Sequence, residues 1–197
     1  MKGFHWKSDR PFLLESGILL PELTIYYHTF GQLNTEKNNV VWVTHALTGN
    51  ADASDWWAGL VGPGKCFDPD KYFIVCANNL GSCYGTTGPL DINPHTNSPY
   101  FADFPLITIR DQVQAHKLLA KFLQIDKIFM GIGGSMGGQQ MVQWAADEPS
   151  RFAHLVLLAT NARHSPWGIA FNETQRMALI ADPGFFNPEL PDAGKAG

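Results

Sequence analysis

Residues 127 to 146 constrain this chain more than any other stretch. The apolar run Lys127-Ile128-Phe129-Met130-Gly131-Ile132 has the length of a buried strand. Gly133-Gly134-Ser135-Met136-Gly137 follows and reads G-x-S-x-G. Then Gln139-Gln140-Met141-Val142-Gln143-Trp144-Ala145-Ala146 has helical composition and holds no Gly or Pro. Strand, glycine-flanked serine and helix is the arrangement of a nucleophile elbow. The serine sits on a sharp, strained turn, and a side chain two residues away would collide with neighbouring backbone. Glycine removes the Cβ and tolerates the unusual dihedrals. The helix that follows points its first N–H groups at any negative charge near Ser135. A glycine-rich connection with an unreactive serine is the plain alternative, and the flanking strand and helix favour the elbow.

The rest of the chain repeats the strand-and-helix alternation. Val40-Val41-Trp42-Val43-Thr44, Tyr72-Phe73-Ile74-Val75-Cys76-Ala77 and Leu155-Val156-Leu157-Leu158-Ala159 are continuous apolar runs, the mark of strands buried on both faces. Gly17 to Leu20 and Leu23 to Thr29, separated by Pro21, are expected to form a hairpin or a bent edge. Thr108 can cap a helix running to about Leu123, with Asp111 in its first turn and Val113, Leu119, Phe122 and Leu123 on its buried face. Glu173 to Ala181 reads as a helix stopped by Asp182-Pro183-Gly184. Two long loops, His45 to Lys65 and Asn78 to Pro105, are rich in Gly, Pro, Asn, Asp and Thr. The pattern is α/β, with a mostly parallel sheet whose ligands bind at the C-terminal ends of the strands.

Composition excludes several other classes. The chain has 197 residues, 45% hydrophobic and 16% charged, which suits a packed core rather than disorder. Its formal net charge of -4 argues against nucleic acid and anionic membrane surfaces as partners. It holds no run of about 18 apolar residues that could span a membrane. The first residues, Met1-Lys2-Gly3-Phe4-His5-Trp6-Lys7, lack the apolar core of a signal peptide, so the expected compartment is the cytoplasm. Cys66, Cys76 and Cys83 fit no zinc spacing, and no metal is expected. Cys76 reads as a core residue, while Cys83 lies in a loop with no basic neighbour in sequence to make a reactive thiol of it.

The loop His45-Ala46-Leu47-Thr48-Gly49-Asn50 directly follows the Val40–Thr44 strand. A loop in that position supplies one backbone N–H of an oxyanion hole, and the residue after the nucleophile supplies the other. The candidate donors are Leu47 and Met136. His45 lies before the serine, against the chain order serine, acid, histidine, and is read as a structural histidine bonding loop backbone.

Six segments carry a resemblance. They are His45-Ala-Leu-Thr-Gly49, Asn79-Leu-Gly-Ser-Cys-Tyr-Gly-Thr-Thr-Gly-Pro89, Phe104-Pro-Leu-Ile-Thr-Ile-Arg-Asp111, Gly133-Gly-Ser-Met-Gly-Gly138, Asn161-Ala-Arg163 and Phe171-Asn-Glu-Thr-Gln-Arg176. Together they resemble the homoserine O-acyltransferase family of the α/β-hydrolase fold, over nearly the whole chain. The resemblance implies transfer of an acyl group from acyl-CoA to the hydroxyl of homoserine, a step of methionine biosynthesis. Ser135 is then the nucleophile, and Leu47 and Met136 are the oxyanion donors. It implies acetyl-CoA as co-substrate, no bound cofactor and a homodimer. Succinyl in place of acetyl, serine in place of homoserine, ester hydrolysis, and an inactive partial domain all stay open. Residues 1–164 correspond to the first part of the hydrolase core, and 165–197 to the start of a helical lid. The family carries its acid and histidine far downstream of the serine, so both are expected beyond Gly197.

Within the chain, the groups after Ser135 are Asp147, Glu148, His154, His164, Glu173, Asp182, Glu189 and Asp192. Asp147 and Glu148 fall roughly 18 Å along the elbow helix from Ser135. His154 is expected before a strand, at the wrong edge of the sheet. His164 follows a strand, but in the next connection. Arg163 and Arg176 are candidates for the homoserine carboxylate or CoA phosphates, against a plain salt bridge on a lid helix. Tyr84, with Trp56, Trp57 and Trp167, is a candidate to line an acyl tunnel, against simple packing of the lid.

Overall fold

The computed structural model describes residues 2–185 and 187. Glu189 and Asp192, and most of the Pro/Gly-rich end, lie outside the described residues. In chain order the strands are β1 (Lys2–Lys7), β2 (Phe12–Leu13), β3 (Leu19–Leu20), β4 (Thr24–Phe30), β5 (Val40–Thr44), β6 (Phe73–Ala77), β7 (Ile92–Asn93), β8 (Ser98–Pro99), β9 (Ile128–Gly134) and β10 (Phe152–Leu158). The helices are α1 (Ala53–Trp56), α2 (Ile109–Phe122), α3 (Met136–Asp147) and α4 (Pro166–Ala181), with one 3-10 turn at Phe101–Asp103.

Six strands form one sheet in the order β1-β4-β6-β5-β9-β10. β6, β5, β9 and β10 run parallel, and β4 is antiparallel to both β6 and β1. The mostly parallel sheet expected from the apolar runs is therefore present. Its two faces carry separate cores, as the period of a strand dictates. Val40 and Trp42 of β5 pack with Val113 and Leu119 of α2 and with Met141 and Trp144 of α3. Val41 and Val43 point the other way, to Ile74, Phe67, Val61 and Ala53. The α2 start is as expected, a capping box in which Thr108 accepts from the Asp111 N–H and the Asp111 side chain accepts from the Thr108 N–H.

Four readings of the sequence need correction, and one strand was not foreseen. Leu19–Leu20 pairs with Phe12–Leu13, not with the following strand, and β4 instead joins the main sheet between β1 and β6. β1 was not foreseen, because most of its residues face solvent and leave no alternating apolar signal. β10 begins at Phe152, so His154 lies inside it rather than before it, paired with Met130. Nor is β10 buried: among the described strands it is bonded to β9 alone, and Leu155, Leu157 and Leu158 stay exposed. Finally, α4 starts at Pro166 rather than Glu173, with Ser165 as its cap and proline in its first turn, where the missing N–H costs nothing.

Three adjacent strand ends place the site. Thr44 is in register with Ala77 on one side and with Gly133 on the other. The loops after β6, β5 and β9 therefore leave the sheet side by side, at its C-terminal edge.

Candidate active site

Ser135 joins β9 to α3 with φ 52° and ψ −121°, a conformation that costs an L-residue about 1–3 kcal/mol. Close packing enforces it. A Cβ on Gly137 would stand 2.1 Å from the Thr44 carbonyl oxygen, and one on Gly133 would stand 2.5 Å from the backbone of Gly137. Hydrogen bonds hold the same turn. The Ser135 N–H donates to the Leu158 carbonyl at 3.0 Å, and the Ser135 carbonyl accepts from Thr160 Oγ1 at 2.7 Å and from the Gln139 N–H at 3.1 Å. Thr44 Oγ1 donates to the Gly137 carbonyl at 2.7 Å, tying the helix start to the end of β5. The Ser135 side chain stays exposed at the top of this junction.

Leu47 and Met136 line one cavity of about 370 Å³, together with Asn79, Cys83, Tyr84, Leu90 and Gln112. Among the described residues, neither the Leu47 nor the Met136 N–H donates to a protein acceptor. The loop that carries Tyr84 is pinned to β4: the Tyr26 N–H donates to Thr86 Oγ1 at 2.9 Å, and the Thr24 N–H donates to Thr87 Oγ1 at 2.8 Å. Asn78 Nδ2 donates to the Tyr84 carbonyl.

The other sequence candidates separate from this cavity. Arg163 lines a separate, smaller hollow of about 260 Å³ with Gln139, Asn161 and His164. Arg176 is spent on an ion pair one turn away along α4, its Nε 2.8 Å from Glu173 Oε2, which is the salt-bridge alternative. Trp56 and Trp57 lie against each other and pack on the second core, and Trp167 is 79% exposed on α4. Of the four aromatic candidates, only Tyr84 reaches the cavity beside Leu47. His164 meets Gln139 Nε2 at 3.2 Å, and among the described residues Ser135 Oγ has no hydrogen-bond partner. Asp147 and Glu148 both pair with Lys117, at 2.8 and 3.6 Å. Cys76 is buried, which pushes its thiol pKa up, and Cys66 and Cys83 are exposed. Among the described residues no group of three or more His, Cys, Asp or Glu side chains could hold a metal ion.

Behind the cavity lies a buried polar network that the sequence did not announce. His45 Nδ1 is 2.8 Å from the Ala46 carbonyl, and its Nε2 accepts from the Asn79 N–H at 3.1 Å. Burial lowers its pKa and keeps the ring neutral, which fits the structural role expected for it. Gln140, fully buried on α3, donates to Asn79 Oδ1 at 3.0 Å and to Gln112 Oε1 at 2.9 Å. Its own Oε1 lies 2.9 Å from His116 Nε2. Burial drives the His116 pKa down to about 4. Gln112, His116 and Gln140 read in sequence as ordinary polar positions of helices; only the packing of α2 on α3 buries them.

Comparisons with known proteins agree with this geometry. A sequence profile of the alpha/beta hydrolase fold matches residues 39–196. A homoserine O-acetyltransferase of Cyclobacterium marinum is 51% identical over 184 residues, which cover 93% of this chain and 52% of that protein. The crystal structure of homoserine O-acetyltransferase from Bacillus anthracis superposes with a TM-score of 0.89 at 28% identity, over 98% of this chain and 57% of that one. The crystal structure of esterase E22 superposes with a TM-score of 0.88 at 28% identity, over 98% of this chain and 58% of that one. The chain thus spans about half the length of the curated relatives it matches. No described helix is long and apolar enough to cross a membrane. With its parallel sheet, its serine elbow after β9 and a profile match over most of its length, the chain belongs to the α/β-hydrolase-fold family.

Proposed function

We propose that this chain carries the nucleophile and the oxyanion hole of an O-acetyltransferase that moves an acetyl group from acetyl-CoA to the hydroxyl of L-homoserine. The observation that carries the reading is the Ser135 elbow beside a cavity lined by Leu47 and Met136, in a chain about half identical to homoserine O-acetyltransferases. Ser135 Oγ attacks the thioester carbonyl, the Leu47 and Met136 N–H groups stabilise the oxyanion, and CoA leaves as its thiol. The homoserine hydroxyl then attacks the acetyl-serine through a second tetrahedral intermediate. Each oxyanion donor in such a site lowers the barrier by on the order of 3 kcal/mol. Ser135 needs a base to take its proton. None of the described histidines reaches its Oγ, so the reading places the acid and histidine of the triad outside the described residues. Tyr84 faces the acyl or acceptor group, and Arg163 is a peripheral contact for the homoserine carboxylate or CoA phosphates. The small-molecule substrates, the methionine-pathway role, cytoplasmic location and homodimeric assembly belong to the same reading, with no resident cofactor.

Hydrolysis is the second reading, favoured by the equally close fold match to esterase E22. It uses the same acyl-serine with water as acceptor. One experiment separates the two. The full gene product is incubated with acetyl-CoA, quenched in acid and mapped by mass spectrometry, with acetate and O-acetylhomoserine measured in parallel. Acetyl on Ser135 and transfer to homoserine in excess of acetate support the transferase. Acetate alone supports the esterase. Ser135→Ala should lower turnover by on the order of 10⁴-fold or more. Acetylation at another residue, or undiminished turnover in the variant, overturns both.

A further inference from the structure

The peptide between Ala46 and Leu47 carries the proposed oxyanion donor, and its carbonyl is held from two sides, by the Gly49 N–H, which donates to it at 2.9 Å, and by a buried chain of side chains that starts at His45. In a trans peptide the C=O and the N–H point in opposite directions. The Ala46 carbonyl is turned inward, onto His45 Nδ1 at 2.8 Å. The Leu47 N–H of the same plane therefore faces away from the buried ring. His45 can hold this carbonyl only as the Nδ1–H tautomer. That tautomer is selected by its other nitrogen, which accepts the Asn79 N–H and so bears no proton. Asn79 is fixed in turn by Gln140, whose Nε2 donates to Asn79 Oδ1.

We propose that Gln140 is a positioning residue for the oxyanion hole, acting through Asn79 and His45 on the Ala46–Leu47 peptide. Three features distinguish it from ordinary core packing. It is fully buried, five residues after the nucleophile on the same helix. All the polar atoms of its amide are engaged: Oε1 with His116 Nε2, and Nε2 with Asn79 and Gln112. Its partners lie on α2 and in the loop after β6, beside the cavity, so one amide ties the elbow helix α3 to both. A leucine or methionine would fill the space but leave Asn79 Oδ1 and Gln112 Oε1 without their donor, which buried acceptors tolerate poorly.

The proposal rests on the acyl-serine reading but not on acetyl-CoA as donor, and the test keeps these apart. The full gene product is mixed with p-nitrophenyl acetate. Ser135 Oγ bonds to the acetyl carbon, p-nitrophenolate leaves, and the serine proton goes to the base. The rate of the nitrophenolate burst reports acylation alone. Gln140→Met should slow the burst by about ten- to hundred-fold, less than outright loss of a donor, with KM and burst amplitude close to wild type. A second measurement needs no variant: ¹⁵N NMR of the wild-type protein at neutral pH should show His45 as the neutral Nδ1–H tautomer. A well-folded Gln140→Met with an unchanged burst rate overturns the proposal. So does an Nε2–H or charged His45 in the wild type, which also decides the matter if the variant does not fold. Failure of acetyl-CoA to acylate a protein that gives a normal burst overturns the donor assignment and leaves the positioning role standing.

Discussion

A serine at φ 52° persists only where its neighbours forbid every relaxation. Gly137 is the clearest case. The nearest atom to a side chain there is the Thr44 carbonyl oxygen, part of the central strand of the sheet and not the tip of a flexible side chain. Gly137→Val must push α3 off β5 and break the bond from Thr44 Oγ1 to the Gly137 carbonyl. The expected loss is more than about 2 kcal/mol of folding stability, read from the urea midpoint at constant slope. An unchanged midpoint would show that the junction has room, and would remove the physical reason for a glycine there. Ser135, Gly133 and Gly137 were legible because the requirement is local, a few residues of backbone in one tight turn. Gln140 and Asn79 were not, because a buried amide differs from an exposed one only through residues distant in sequence. Gln140 meets Asn79 across 61 positions.

Helix α2 meets helix α3 through a buried titratable group, His116, as well as through the Lys117–Asp147 ion pair. His116 is 2% exposed, stacks at 6.1 Å on Trp144 of α3, stands edge-on to Trp42 of β5, and pairs with Gln140. In the folded chain it stays neutral down to about pH 4, whereas an unfolded histidine takes its proton near 6.5. Between these values the unfolded state binds more protons, so stability falls as pH falls through the window and is fully present above it. His116 alone should remove up to about 3 kcal/mol between pH 7 and pH 4. Urea unfolding at the two pH values checks this, and His116→Phe should flatten the dependence by a comparable amount. An equally steep loss in the variant would assign it to other groups. The α2 cap and the β5 and β6 runs were legible, since each is written in consecutive residues. β10 misled, because an apolar run states that a strand can be buried on both faces and not that anything covers it. β2 was too short for periodicity to speak, and so the Gly17–Leu20 segment was assigned the wrong partner.

At the scale of the whole molecule, the order of the strands decides which surfaces stay open. Among the described residues the parallel run ends at β10, whose outer edge pairs with no further strand and lies beside exposed Leu155, Leu157 and Leu158. Next in the chain comes α4, where Trp167, Ile169, Phe171, Met177 and Ile180 are all more than half exposed and no residue is buried. An apolar helix and an open apolar strand edge are each association sites, and here they adjoin in sequence. α4 keeps its regular form through the Ser165 cap and its internal bonds, so it presents a standing apolar surface. The 197-residue polypeptide on its own should therefore self-associate, with a mean mass that rises with concentration in size-exclusion chromatography coupled to light scattering. It should also enhance the fluorescence of an apolar dye. Trp167→Glu combined with Ile180→Glu places two charges on that surface and should lower the mass at a given concentration without moving the thermal midpoint, because neither side chain is buried. A monodisperse monomer at every concentration, with no dye response, would show that the exposed leucines and α4 find cover within a single chain.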